Sequence, residues 1–114
     1  MFFILFSCKN ENNTIETKDE AVVKSDYSAG KNIYTDHCSL CHQENGEGIP
    51  GAFPELINKK ADINSVVNGV KGTVMVAFKD SLSDQKIADV INYINHSWGN
   101  EYDEIDEEMI SEFK

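Results

Sequence analysis

The chain has 114 residues, enough for one small domain with tails, since independent domains usually hold about 100–150 residues; a two-domain enzyme is excluded. Hydrophobic residues make up 40% and aromatics 10%, a composition that predicts a marginal core if side chains alone must fill it. Ten basic residues, all Lys, stand against 20 acidic ones, and the formal charge of −10 argues against nucleic acid or an anionic lipid surface as partner and favours a cationic one. The charge is uneven: residues 9–30 carry five acids and three lysines, residues 31–100 eight and six, and residues 101–114 seven and one. The body is therefore nearly balanced and the C-terminal segment is distinctly acidic.

Residues 1–8, MFFILFSC, form a short apolar run ending in a small residue and a cysteine, followed by a polar stretch without periodicity. This resembles a bacterial lipoprotein signal, with residues 1–7 as signal peptide and Leu5-Phe6-Ser7-Cys8 as the lipobox. The resemblance implies cleavage before Cys8, lipid on that residue, and a periplasmic, membrane-attached product. Residues 8–25 then read as a flexible tether with few large apolar side chains. The seventeen residues 9–25 would have a root-mean-square span of roughly 23 Å and a full reach of about 60 Å. No apolar run reaches the roughly 18 residues needed to cross a bilayer.

Residues 26–100 form the predicted domain. Gly30, Ile33, Tyr34, His37 or Cys38, and Cys41 recur at helical spacing, which predicts one amphipathic helix over 28–42, capped by Asp26 or Ser28. It ends in Cys38-Ser39-Leu40-Cys41-His42, a C-x-x-C-H attachment sequence for c-type haem. Two cysteines three apart can each form a thioether to one of the two vinyl groups of a haem edge, and His42 then lies under the iron as proximal ligand. Zinc would need a fourth ligand that this cluster lacks, and a thioredoxin-type redox pair would need a βαβ setting that no strand pattern supplies.

Asp62 is a candidate cap for a short helix with Ile63, Val66, Val67 and Val70 inward and Gly69 near its end. Met75 follows in a loop after Gly69 and Gly72. Met1 lies in the signal and Met109 in the acidic segment, so Met75 is the methionine of the body and the candidate second axial ligand. His37 sits too close to Cys38 to serve the opposite haem face, and His96 reads as an exposed residue of the last helix turn. SDQKIADVINYINHSW, residues 83–98, is the strongest helix: Ser83 as N-cap, Leu82 and Ile87 as a staple, Ile87, Val90, Ile91 and Ile94 as one stripe, and Gly99 as stop. Tyr102, Ile105, Met109 and Phe113 fall at spacings of three and four, predicting a short amphipathic helix over 105–113 with Asp106 as cap. That segment either packs on the domain or serves as a docking handle for a basic partner.

Residues 28–99 are similar to a small class I cytochrome c, an all-α fold of three to four short helices wrapped around one covalent haem. Gly30, Tyr34 and Tyr93 match the family's glycine and aromatic on the first helix crossing an aromatic on the last, and Val90 falls at a further core position. Pro54 matches the proline whose carbonyl orients the haem histidine, and Leu56 a leucine touching the haem. Met75-Val76-Ala77-Phe78 resembles the methionine loop, except that Val76 stands where the family usually has proline, which loosens the loop.

The resemblance implies single-electron transfer by a haem with His42 and Met75 as axial ligands, between a membrane donor and a terminal oxidase or reductase, with no substrate-turnover site. Two neutral ligands, one a soft thioether, favour ferrous iron and raise the reduction potential. A second reading is a haem-based gas binder or sensor in which Met75 is displaced, and a third is a subunit docked permanently in an oxidase complex.

Overall fold

The computed structural model describes residues 27–114. Residues 1–26 lie outside them, and with them the expected signal peptide, Cys8, the expected tether and the candidate cap Asp26. In chain order the helices are α1 (Ser28–His37), α2 (Ser39–His42), α3 (Ile63–Asn68), α4 (Asp84–Asn95) and α5 (Glu107–Ser111). Among the described residues there is no strand, only an isolated bridge between Ile49 and Phe53, so the fold is all-α as expected. No helix among them is long and apolar enough to cross a membrane.

The helix expected over 28–42 is interrupted. Cys38 leaves the helical region at φ −121° and ψ −34°, and the chain restarts as the single turn of α2. The Ser39 hydroxyl donates to the Thr35 carbonyl at 2.9 Å, competing for the acceptor that a continuing helix would give to the Ser39 backbone N–H. Tyr27 precedes the first turn of α1 and makes no side-chain cap. Cys38, rather than the exposed His37, falls on the inner face.

α4 is the central element. Ile87, Val90, Ile91 and Ile94 are all buried, as their spacing requires, and Leu82 packs against the same cluster. The Ser83 side chain accepts from the Lys86 N–H at 3.2 Å, the expected N-cap. Ser83→Ala is expected to lower stability by about 1 kcal/mol, read as a shifted midpoint in denaturant with unchanged slope. The helix stops at Asn95, three residues short of the expected end. His96 Nδ1 sits 2.7 Å from the Asn92 carbonyl, the Ser97 hydroxyl donates to Tyr93 O at 2.6 Å and the Asn100 amide donates to Ile94 O at 3.0 Å. Side chains thus satisfy the last carbonyls and end the ladder.

α1 crosses α4 at Gly30, where an added Cβ would lie 2.1 Å from the Asp89 carbonyl oxygen and 2.8 Å from Tyr93 Cβ. Only glycine lets the two backbones come this close. One turn later Tyr34 is buried between Tyr93 and Trp98, with ring centroids 5.5 and 5.3 Å away in tilted arrangements that aromatic quadrupoles favour. Its hydroxyl donates to the Gln43 carbonyl at 2.6 Å, so the loop after α2 is held by the helix crossing.

α3 forms at the expected place, but Asp62 makes no cap to a backbone N–H and instead accepts from the Ser65 hydroxyl at 2.6 Å. Val67 is fully buried, with Ile63 and Val66 packed beside it, whereas Val70 lies beyond the helix and is exposed. α5 carries the expected Asp106 cap, which accepts from Met109 N–H at 3.0 Å. Its inward residues are Ile105 and Ile110; Met109 and Phe113, expected on the inner face, are each 40% exposed. The helix is one turn beginning at Glu107, and that phase turns Ile110 inward in place of Met109 and leaves Phe113 past the end. The acidic segment thus packs on the domain, its root fixed by reciprocal bonds between the Asn92 amide and the Ile105 backbone at 2.8 and 2.9 Å.

Candidate metal centre

Beside the α1–α4 crossing lies a cavity of about 500 Å³. Cys38, Cys41 and His42 form part of its wall, contributed by the end of α1 and by α2, and Met75 belongs to the loop that lines it between α3 and α4. Phe53, Pro54 and Phe78 complete the apolar surround, and no Asp, Glu or Lys is among the lining residues. Four groups with affinity for a porphyrin edge or its metal therefore share a space otherwise suited to a flat apolar molecule.

The imidazole of His42 is oriented by the backbone. Its Nδ1 lies 2.8 Å from the Pro54 carbonyl oxygen. A carbonyl only accepts, so Nδ1 carries the proton and the Nε2 lone pair is left for a metal. The bond also fixes the ring plane, and proline suits the position because its φ is locked.

The Cys38 thiol is pushed up to about 11, first by burial and then by the neighbouring Cys41. A thiol held neutral is the opposite of what a redox dithiol needs. Among the described residues no three His, Cys, Asp or Glu side chains gather as a metal-ion set. Burial also raises the Tyr34 phenol, which stays protonated and keeps its bond to Gln43.

The loop bearing Met75 is held mainly by backbone. Val70 N–H donates to Met75 O at 3.1 Å, Met75 N–H to the Thr73 hydroxyl at 3.1 Å, and Phe78 and Lys79 N–H to Val66 and Val67 O at 3.1 and 3.2 Å. Gly69 joins α3 to this loop at φ 75°, and a Cβ there would lie 2.9 Å from Met75 O. Val76 is 61% exposed and Val74 72%.

Five of the six expected domain residues, Cys38, Cys41, His42, Pro54 and Met75, line one cavity. Leu56 does not; it packs against the core cluster, and its carbonyl accepts from the Asn100 amide at 3.0 Å. Cys8 lies outside the described residues. His37 lines the cavity and meets Phe78 edge-on at 5.7 Å. His96 is half-buried rather than exposed, stacked on Tyr27 at 4.8 Å.

Several residues that shape the site carry no motif. Phe53 and Phe78 wall the cavity from separate loops. Buried Asn95 and Asn100 hold the segment after Pro54 onto α4: Asn95 accepts from Ala61 N–H at 2.8 Å, and Asn100 accepts from Asn58 N–H at 2.7 Å. Asn95 had a legible signal, since it stands four residues beyond Ile91 on an otherwise apolar stripe, where a polar side chain must find a buried partner.

The sequence pattern of the family described as cytochrome c oxidase, cbb3-type, subunit III matches residues 25–94. The chain is 38% identical to cytochrome c-552 of Thermus thermophilus over 91 residues, covering 61% of this chain and 68% of that protein. It is 32% identical to the cytochrome c subunit of a quinone alcohol dehydrogenase from Gluconobacter oxydans (strain 621H), covering 64% of this chain and 19% of that subunit. It is 30% identical to the gluconate 2-dehydrogenase cytochrome c subunit of Pantoea cypripedii, covering 81% and 26%. The match thus spans about a fifth to a quarter of the length of the dehydrogenase subunits.

Proposed function

This chain belongs to the family of cbb3-type cytochrome c oxidase subunit III, and on that premise we propose that it is a single-electron carrier whose haem is held by Cys38 and Cys41 and ligated by His42 and Met75. Covalent haem c is the cofactor of the family. When bound, it supplies one iron that alternates between ferric and ferrous. The observation that carries the reading is the convergence of two thiols, an imidazole with Nε2 free, and a thioether on one apolar cavity.

The residues divide the work. Pro54 orients His42, and Phe53 and Phe78 exclude water from the cavity, which disfavours the charged ferric state. With His42 and Met75 both holding the iron, no position on it would be left for a substrate, which supports electron transfer without turnover as the activity. The partners in this reading are a membrane-bound donor and a terminal oxidase or reductase. The setting is periplasmic, with the domain anchored through lipid on Cys8 and a tether over residues 8–25. The likeness to dehydrogenase cytochrome subunits also supports a carrier docked in a complex. Co-purification that survives high salt separates a docked subunit from a free carrier, which salt would release.

The test is the visible spectrum of the haem-loaded protein, oxidised, reduced, and reduced under carbon monoxide. A low-spin spectrum unmoved by carbon monoxide, converted by Met75→Ala into one that binds it readily, is the expected result. The exposure of Val74 and Val76 beside Met75, with no proline to stiffen the loop, favours a second reading in which a gas displaces Met75. Ready carbon monoxide binding by the parent protein would select it.

A further inference from the structure

The acidic C-terminal segment does more than cover the core. Beyond its root at Asn92, it carries Ile110, which is fully buried in the same cluster as Val67 of α3. Further on, the Asn68 side-chain amide donates to the Phe113 carbonyl at 2.8 Å, joining the last residue of α3 to the chain terminus across 45 positions. The same amide group donates to Asn64 within α3 at 2.9 Å. Lys114 closes the segment onto the first turn of α4 through Asp84 at 2.6 Å.

α3 is in turn the support of the methionine loop. The carbonyls of Val66 and Val67 receive the N–H groups of Phe78 and Lys79, Val70 holds Met75 O, and Gly69 leaves no room for a side chain against the Met75–Ala77 backbone. The short α3 and its flanks provide these anchors, and a helix of six residues is not stable alone. Something must hold α3 in place. The core takes up Val67, and the terminal segment, itself anchored in that core by Ile110, supplies the Phe113 carbonyl.

We propose that residues 105–114 act as a strap that positions the Met75 loop through α3, with Asn68 as the positioning residue. The strap and the loop do not touch through any of the bonds described; they share α3, so loosening one end loosens the other. The effect on axial ligation rests on the reading of Met75 as an iron ligand, whereas the mechanical link stands on the loop's own amides.

The experiment uses the full-length haem-loaded protein and three substitutions, with Met75→Ala as a fourth for the second readout. Asn68→Ala removes the strap bond on the α3 side, and Ile110→Val trims the buried anchor on the strap side mildly enough to fold. Ser97→Ala removes the hydroxyl bond to the Tyr93 carbonyl past the C-terminal end of α4, away from α3, the Met75 loop and the Lys114–Asp84 pair, and serves as a control of comparable overall stability. Hydrogen exchange at the Val70, Phe78 and Lys79 amides is expected to quicken by about fivefold in the first two variants, the effect of losing one hydrogen bond or one buried methyl, and to stay near parent values in the control. Equal exchange in all three would overturn the strap. Carbon monoxide binding to the reduced protein is the second readout. It should quicken to a similar extent in the two strap variants but not when either is combined with Met75→Ala. If Met75→Ala leaves carbon monoxide binding at the parent rate, the ligand assignment fails while the exchange result still decides the strap.

Discussion

Without haem the chain is expected to lose its cooperative thermal transition. Among the described residues the buried apolar core comprises nine, Tyr34, Val67, Ile87, Ala88, Val90, Ile91, Ile94, Ile105 and Ile110, and none of them lines the cavity. The molecule is thus organised as a small packed half around α4 and a second half whose apolar side chains, Phe53, Val70, Val74 and Phe78 among them, face the cavity. Held open without haem, these apolar walls would face water and forfeit about 25 cal/mol for each Å² of burial that the group would provide. The chain would instead collapse into the space or unfold around it. Protein prepared without haem attachment, or carrying Cys38→Ala with Cys41→Ala, should show broad, weakly cooperative melting by circular dichroism. A sharp transition within a few degrees of the loaded protein would contradict this account.

Gly30→Ala should be among the most damaging single methyls in the fold. The added carbon would sit 2.1 Å from a backbone oxygen of α4, which cannot rotate aside, so the two helices must separate. Overpacking of this kind costs up to about 3 kcal/mol or more, against which alanine recovers about 1 kcal/mol of helix propensity. A net loss of about 2 kcal/mol corresponds to a fall in melting temperature on the order of 10 °C for a domain of this size. Lys31→Ala, one residue on and exposed, is the comparison and should change stability by less than about 0.5 kcal/mol. Equal melting of the two variants would show that the crossing yields more easily than its geometry implies. Because Tyr34 and its bond to Gln43 ride on the same helix, Gly30→Ala should also disturb the chain leaving His42.

Both predictions start from features readable in the sequence. The stripe of Ile87, Val90, Ile91 and Ile94 and the Ser83 cap are local patterns, and the C-x-x-C-H run is contiguous. Gly30, Tyr34 and Tyr93 were legible through family likeness, and the 2.8 Å bond from His42 to Pro54 has the form that likeness implied. Elsewhere side-chain to backbone bonds overrode the pattern. The break at Cys38 follows from the Ser39 hydroxyl, and the early stop of α4 from His96, Ser97 and Asn100. In the acidic segment, spacings of three and four admit two phases, and a single-turn helix settles on Ile110 because that side chain reaches the core. Phe53 and Phe78 were illegible as cavity walls because nothing local joins loops 25 residues apart. Leu56, where the likeness implies contact with haem, packs against the core cluster, and its backbone carbonyl accepts from the Asn100 amide, a long-range bond with no local signal.

The α1–α4 crossing also dictates the order in which the molecule can assemble. Gly30 and Asp89 meet across 59 positions of chain, and the attachment motif, Pro54, α3 and Met75 all lie inside the loop that this contact closes. Closing a loop of that length costs about 3–4 kcal/mol of chain entropy, and that cost falls before most site contacts can form. α4, with its cap and continuous stripe, can gather structure early, but the site-bearing segment gains a fixed frame only once the two end helices have docked. The rate of folding should therefore track the strength of the crossing, and the two ligand-bearing walls should become ordered together rather than one after the other.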